Sequence, residues 1–296
     1  MSILVTGGNG YLGGRIVEYL TQKGFHVKVG DRNIFLTDNS LDFSCKGVVV
    51  IIHLAAMNAY NSSKNPESAL LVNGLNTLRL LCSAERMGVS KFIYFSTAHV
   101  YGSPLSGALN EGVTPRPVHH YSITHRLSED YVLEADSRGN ISGVVFRLTN
   151  AVGPPIKKST NCWMLVANNL CRQVATDRKI ILNSNVLIER DYVPISSVNS
   201  AVYFALIYDK LNSGIFNLSS GCSYTLGELA ELISNRAKKI LKINPKVIFN
   251  KNNTLRDEGC LPLNVSNKKL KSHGFLVKAD ISNEIEQLLI KCSSWF

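Results

Sequence analysis

The residues best suited to chemistry begin near the amino terminus with Gly7, Gly10 and Gly13. They follow the apolar run Ile3-Leu4-Val5 and precede a helical pattern, Arg15-Ile16-Val17-Glu18-Tyr19-Leu20. A strand ending at Val5, a tight glycine turn and a helix are expected. Glycine lets the backbone come close to a ligand, and the free N–H groups and positive dipole end of the helix suit a pyrophosphate. Asp31 ends a second apolar strand, Val27-Lys28-Val29-Gly30. That is close to the spacing at which a carboxylate accepts hydrogen bonds from an adenosine ribose. The same carboxylate repels a 2′-phosphate and favours NAD over NADP. Arg32 beside it pulls the other way, because it can pair with that phosphate or stack on adenine. A second group lies further on, where Thr97 ends a strand and Tyr121 falls in the first turn of an expected helix, with His125 four residues later. Positions i and i+4 share a helix face, so Tyr121 and His125 can both face one site.

The elements that must position these groups alternate as strand and helix. Residues 48–56 form an apolar stretch ending in Leu54-Ala55-Ala56, whose small side chains leave room for a flat ring. Residues 92–97 and 143–147 read as buried strands. Asn65 and Pro66 start a helix expected to run to Met87 and stop at Gly88. A second helix is expected over 120–135. Such alternation implies a parallel sheet covered on both faces. The expected fold is α/β: a Rossmann-type, doubly wound parallel sheet with a smaller, mixed carboxyl-terminal substrate lobe. Residues 1–152 form the dinucleotide-binding domain, with 186–206 returning to it, and 153–185 and 207–296 form the lobe. In the lobe, residues 215–218 read as a strand. Thr225-Leu226-Gly227-Glu228 reads as a capping box before a helix over 229–240. Few long periodic elements follow.

The chain has 296 residues and a formal charge of +10. Its basic residues are scattered, with no run of five or six, so no nucleic-acid arm is expected. The charge suits a solvated surface and attraction of a nucleotide diphosphate. No apolar stretch is long enough to span a bilayer. Met1 leads almost directly into a strand without a basic leader, so no signal peptide is expected, and a cytoplasmic location follows. The seven cysteines show no Cys-x-x-Cys spacing and read as reduced thiols. His119-His120 and His125 have no carboxylate pairing or cysteine spacing, so no metal site is expected.

Taken in order, four stretches carry a resemblance: Thr6 to Gly13, His53-Leu54-Ala55-Ala56, Phe95-Ser96-Thr97-Ala98-His99-Val100-Tyr101-Gly102 and Tyr121-Ser122-Ile123-Thr124-His125. So do Phe146 to Pro154, Arg190-Asp191-Tyr192-Val193, Asn217 to Gly221 and a weaker segment from Arg256 to Leu270. The chain resembles the extended short-chain dehydrogenase/reductases, the group of the nucleotide-sugar epimerases and dehydratases, over nearly its whole length. The resemblance implies that Tyr121 exchanges a proton with a sugar hydroxyl, and that Thr97 hydrogen-bonds the reacting oxygen. A free phenol has a pKa near 10, so Tyr121 must be acidified to act as a base. Gly7, Gly10, Tyr11, Leu12, Gly13, Asp31, Arg32, Leu54, Ala55, Ala56, Asn73, Ser96, Tyr121 and His125 would line the NAD site. Thr97, His99, Asn150, Arg190 and Arg256 would contact a nucleotide-diphosphate sugar. Arginine suits that role because its planar fork binds phosphate oxygens in pairs. Asn73 also reads as an ordinary helix residue, and Arg256 as a surface partner of Asp257 and Glu258.

The departure is His125, where the family pattern has lysine. That ammonium lowers the tyrosine pKa and holds the nicotinamide ribose. A histidine is mostly neutral above its pKa near 6.5; it can donate one hydrogen bond but helps a tyrosinate less. Three readings follow: histidine fills the lysine role, the enzyme is slow or borrows charge from NAD⁺ or substrate, or catalysis is lost and binding remains. Ala98-His99 replaces the Asp-Glu pair of related 4,6-dehydratases, which disfavours elimination. His99 is either a substitute acid/base or a pocket-lining residue. The expected function is NAD-dependent oxidation at a sugar ring carbon, C4 foremost, leading to epimerisation. The rivals are a dehydrogenase or ketosugar reductase with exchangeable cofactor, and a weakened NAD- and nucleotide-sugar-binding protein. The resemblance implies a homodimer through the helices at 66–87 and 120–135; Leu70, Leu71, Leu78 and Leu81 are compatible with it and fit packing inside the domain equally well.

Overall fold

Why the apolar runs are continuous is explained by the sheet they form. In the computed structural model, which describes residues 1–208, 210–249 and 261–296, six strands are parallel throughout. They are β1 (Ser2–Thr6), β2 (His26–Gly30), β3 (Val50–His53), β4 (Lys91–Thr97), β5 (Ser142–Leu148) and β6 (Gly214–Leu218). Their spatial order is β2-β1-β3-β4-β5-β6. The order reverses between β1 and β3, and ligands of open α/β sheets bind outside the carboxyl ends at such a point.

Alternate residues on each strand serve opposite layers. Ile3, Val5, Val50, Ile52, Ile93, Val144 and Phe146 pack with Ile16 and Leu20 of α1 (Tyr11–Gln22). Leu4, Ile51, Phe92, Tyr94 and Val145 pack on the other face. That face is covered by α2 (Asp38–Cys45), α3 (Asn76–Arg86) and α4 (His120–Ser137). Both faces are therefore buried, and strict apolar–polar alternation is absent.

Four differences from the expected elements have physical causes. The strand expected over 48–56 is only Val50–His53. Leu54 still donates to the Thr6 carbonyl at 3.2 Å, and the chain beyond leaves the sheet to cross the glycine turn. The helix expected from Pro66 to Met87 is interrupted by a π-helical segment, Leu70–Leu75. There the hydroxyls of Thr77 and Ser128 both donate to the Asn73 carbonyl, at 2.5 and 2.6 Å. Side-chain bonds of this kind displace the regular backbone ladder. Residues 214–218, assigned to the lobe in the expected division, pair with β5 as the last strand of the central sheet.

The carboxyl-terminal stretch also holds a long helix. Three helices, α5 (Val166–Asp177), α7 (Leu226–Leu241) and α8 (Ser282–Trp295), build a second core around Leu170, Val174, Leu229, Ile233, Ile285 and Leu288. Between α5 and α7 in sequence, α6 (Ile195–Ile207) returns to the central sheet through Val198, Ala201, Val202 and Ala205. The capping box at Thr225 forms as expected, and the helix begins at Leu226. No helix among the described residues is long and apolar enough to cross a membrane.

Candidate functional site

Beyond β1 the backbone turns at Gly7, whose φ is +71°, in the left-handed region. A Cβ there would lie 2.8 Å from the Ala55 nitrogen, and one on Gly13 would lie 2.2 Å from the Gly7 carbonyl oxygen. Gly10 closes the turn by donating to the Gly7 carbonyl at 2.8 Å. Leu54 and Ala55 pass beside this turn, and Ala55 donates to the Thr6 hydroxyl at 3.4 Å. The start of α1 presents unpaired backbone N–H groups, with Gly10 as its side-chain-free cap. Such a cradle fits a pyrophosphate. Asp31 lies just past β2, exposed, and accepts from the Asn33 backbone N–H at 2.8 Å. It lines an open depression of about 360 Å³ with Ile34, Asn39 and Phe43. Arg32 is exposed beside it.

A match of spacings sets the centre of the site. Residues two apart on a strand and four apart on a helix cover nearly the same length, about 6–7 Å. Accordingly Tyr94 and Ser96 of β4 meet His125 and Glu129 of α4. The Tyr94 hydroxyl lies 2.7 Å from Nδ1 of His125. The Ser96 hydroxyl donates to Glu129 at 2.5 Å. Glu129 in turn accepts from Nε and Nη2 of the buried Arg147, at 3.0 and 2.7 Å. Ser96, expected to line the cofactor, thus directs its hydroxyl into this ion pair.

Tyr121 and His125 do share a face, with ring centroids 4.5 Å apart and planes at 71°. Thr97 lies beside Tyr121, and its hydroxyl opposes the rise in the Tyr121 pKa that burial causes. His125 is buried at 3 % exposure, and burial pushes its pKa down to about 3. It is therefore neutral at physiological pH. Its Nε2 is buried with no hydrogen-bond partner among the described residues. A polar atom in that condition costs about 1–3 kcal/mol, which an acceptor or donor on a ligand would recover. No charge from His125 reaches Tyr121, so the electrostatic part of the lysine role is missing.

A second concavity of about 200 Å³ lies over the carboxyl ends, lined by His99, Ser103, Asn150, Leu187, Arg190 and Leu263. Arg190 is half-buried and has no carboxylate partner among the described residues, and it faces Tyr224 across an antiparallel strand pair. The next residue, Asp191, anchors this strand. Its carboxylate accepts from the Thr149 hydroxyl at 2.5 Å and from the Ser220 and Gly221 N–H groups at 2.9 and 2.8 Å. Asn150 donates its side-chain amide to the Asp191 carbonyl at 2.9 Å. His99 has a buried Nδ1 with no partner among the described residues. Burial, with His119 and Arg190 nearby, pushes its pKa down to about 4. Arg256 lies outside the described residues.

Two of the expected cofactor residues have clear structural duties. The Tyr11 hydroxyl donates to the Gly153 carbonyl at 2.7 Å and lies 3.3 Å from Asn168, tying the start of α1 to the lobe. Asn73 accepts from the Met57 N–H at 2.7 Å and donates to Thr124 at 2.9 Å, linking the loop after β3 to α4. Sequence reasoning missed Tyr94, Glu129 and Arg147. In the one-dimensional pattern Tyr94 is an aromatic in a buried strand, and nothing marks its hydroxyl as paired. His119 was read only as part of a histidine cluster. It caps α4, with Ser122 N–H donating to it at 3.3 Å, and its ring lies 5.7 Å from that of His99 and 6.2 Å from that of Tyr121.

Comparison with known proteins agrees with this architecture. The chain is 28% identical over 257 residues to a GDP-6-deoxy-D-talose 4-dehydrogenase of Aggregatibacter actinomycetemcomitans, covering 84% of each. It is 24% identical to a putative UDP-glucose 4-epimerase of Methanocaldococcus jannaschii, covering 97% of each. Among solved structures, RMD from Pseudomonas aeruginosa complexed with NADPH superposes with a TM-score of 0.83 at 22% identity, covering 100% of this chain and 98% of that one. The Thermotoga maritima UDP-glucose 4-epimerase with UDP-glucose gives 0.82 at 22% identity, covering 98% of each. These likenesses support the Rossmann-type fold of the extended short-chain dehydrogenase/reductases. Residues 3–219 match the model of the NAD-dependent epimerase/dehydratase family, and the chain belongs to that family.

Proposed function

We propose that the protein oxidises a ring carbon of a nucleotide-diphosphate sugar, C4 first among them, with NAD as cofactor and Tyr121 as the proton-exchanging group. The observation that carries this reading is the half-buried Tyr121 beside the buried Thr97 at the carboxyl end of β4, in a chain that also forms a glycine cradle and a concavity holding Asn150 and Arg190. The curated relatives named above act, by their names, at carbon 4.

The residues present fit a dinucleotide. Gly7, Gly10 and Gly13 leave room for a pyrophosphate against the start of α1, with Tyr11 and Leu12 contributing backbone there. Asp31 accepts from the adenosine ribose, which favours NAD over NADP, and Arg32 flanks the adenine. Leu54, Ala55 and Ala56 border the cradle. When bound, NAD supplies the hydride acceptor. Tyr121 takes the proton of the sugar hydroxyl, and Thr97 holds the reacting oxygen. Asn150 and Arg190 bind the sugar and diphosphate, and Arg256 is assigned to the same diphosphate. His99 lines the sugar side; its low pKa suits a neutral hydrogen-bonding group. Full turnover without added NADH marks an epimerase, whereas a net change in the NADH absorbance marks a dehydrogenase or reductase.

The interrupted helix at 66–87 and α4 expose Leu70, Leu71, Leu75 and Ile123, each 44–52 % exposed. These side chains support assembly as a homodimer across this face. Leu81 does not belong to it, being packed in the core at 2 % exposure. Leu71→Glu should leave the fold intact and yield monomers in sedimentation; an unchanged mass would refute this face.

The first experiment is to denature the purified protein, identify the released nucleotide by mass spectrometry, and then follow UDP- and GDP-sugars by NMR. Stoichiometric NAD and conversion of one nucleotide sugar are expected. An empty site that also refuses added NAD would overturn the proposal.

A further inference from the structure

We propose that Tyr94 is a positioning residue: its hydroxyl donates to Nδ1 of His125 and locks the imidazole as the tautomer bearing its proton on Nε2, a donor reserved for the dinucleotide. The inference rests on the reading of the site as an NAD site, and it assigns to a strand tyrosine part of the role that the family gives to a lysine.

Four observations carry it. First, among the described residues Tyr94 is the only phenol that is fully buried in its core layer, at 2 % exposure. Burying a hydroxyl costs free energy unless it is hydrogen-bonded, so phenylalanine would serve the packing better. Second, the 2.7 Å spacing to Nδ1 suits an O–H donor, whereas N–H donors centre nearer 2.9–3.0 Å. Ser128 lies near this hydroxyl, but its own hydroxyl is spent on the Asn73 and Thr124 carbonyls at 2.6 and 3.0 Å, and among the described residues the Tyr94 hydroxyl has its hydrogen bond with His125 alone. Third, the imidazole is neutral, so it carries one N–H only. If Nδ1 accepts, Nε2 must hold the proton. That Nε2 is the atom left buried and unpartnered among the described residues. Fourth, the phenol is itself held. His53 stacks on it at 5.7 Å and 28°, and His53 is pinned at both nitrogens, to Thr6 at 2.6 Å and Thr77 at 2.9 Å. Thr6 belongs to the strand that opens into the glycine turn. The tautomer is thereby tied to the same elements that form the cradle.

A hydrogen-bond donor can satisfy the ribose-holding part of the lysine role without supplying charge. The pairing also explains how histidine is accommodated at a position that needs a donor of defined direction: without a partner on Nδ1, a neutral imidazole populates both tautomers and offers a lone pair in part of them.

The test is nitrogen NMR on ¹⁵N-histidine-labelled protein without ligand, with the His125 signals assigned by their loss in His125→Asn. A pyrrole-type Nε2 and a pyridine-type Nδ1 are expected. Tyr94→Phe should blur that pattern toward a mixture. It should also weaken NAD binding, measured by calorimetry, about three- to tenfold, the size of one hydrogen bond. In the His125→Lys background the same Tyr94→Phe change should alter NAD affinity less than about twofold, since an ammonium needs no tautomer lock. A proton on Nδ1 in the wild type, or equal weakening in both backgrounds, overturns the role of Tyr94. The wild-type spectrum decides the tautomer even if Tyr94→Phe fails to fold. Wild-type protein with the Nε2–H pattern that binds no NAD overturns the assigned ligand instead, which separates the two failures.

Discussion

Replacing His125 by lysine tests how Tyr121 is ionised. In the wild type, burial raises the Tyr121 pKa and only the Thr97 hydroxyl opposes it. His125 contributes no charge, because burial holds its pKa near 3. The two rings are 4.5 Å apart between centroids. An ammonium about 5 Å from the phenolate oxygen would stabilise it by about 3 kcal/mol at an effective dielectric of about 20. Removing the ammonium from water consumes part of that. If about half survives, the midpoint of Tyr121 ionisation falls by about one pH unit, since 1.36 kcal/mol corresponds to one unit. The expected result for His125→Lys is a rising limb of the logarithm of the single-turnover rate constant displaced to lower pH by about that much. The assay is single-turnover reduction of bound NAD by the nucleotide sugar that turns over, followed from mildly acid to alkaline pH. The wild-type profile should show no limb near 6.5 from His125. A folded, NAD-binding His125→Lys protein with an unmoved or raised midpoint would refute the electrostatic reasoning.

Three further outcomes are expected. Arg190→Ala should raise KM for the nucleotide sugar by about ten- to a hundredfold, the worth of a charge-assisted hydrogen bond, while leaving the NAD content intact; loss of NAD instead would show that Arg190 serves the wrong ligand. Gly13→Ala should lower the thermal midpoint and empty the cofactor site, because its Cβ would meet the Gly7 carbonyl oxygen at 2.2 Å; a stable, NAD-replete variant would show that the turn can yield. His53 is neutral and buried, with its pKa pushed down to about 3. The unfolded chain binds its proton below about 6.5 and the folded chain does not, so its contribution is complete above that pH and lost as pH falls toward 3. His53→Gln should therefore flatten the acid slope of stability by about 1.4 kcal/mol per pH unit, read from urea midpoints; parallel slopes would contradict the buried neutral imidazole.

The glycine turn, the first strand's end to within one residue (Val5 expected, Thr6 found), the strand end at Thr97, the Tyr121–His125 face and the capping box at Thr225 were all legible in the linear sequence. Each depends on neighbours within a few residues, through backbone conformation, side-chain spacing or a local hydrogen bond. The replacement of lysine by histidine was equally plain. What the chain alone could not show was what His125 does with its two nitrogens. That depends on the register of β4 against α4, which brings Tyr94 and Ser96 onto His125 and Glu129. The same applies to the π-helical segment, produced when Ser128 of a distant helix bonds the Asn73 carbonyl, and to residues 214–218, drawn into the central sheet by pairing with β5. Local conformation was determined by the sequence because short-range sterics and hydrogen bonding dictate it. The charge and proton placement at the site were decided only by the tertiary structure. Burial and long-range partners set them, and neither exists until the elements pack.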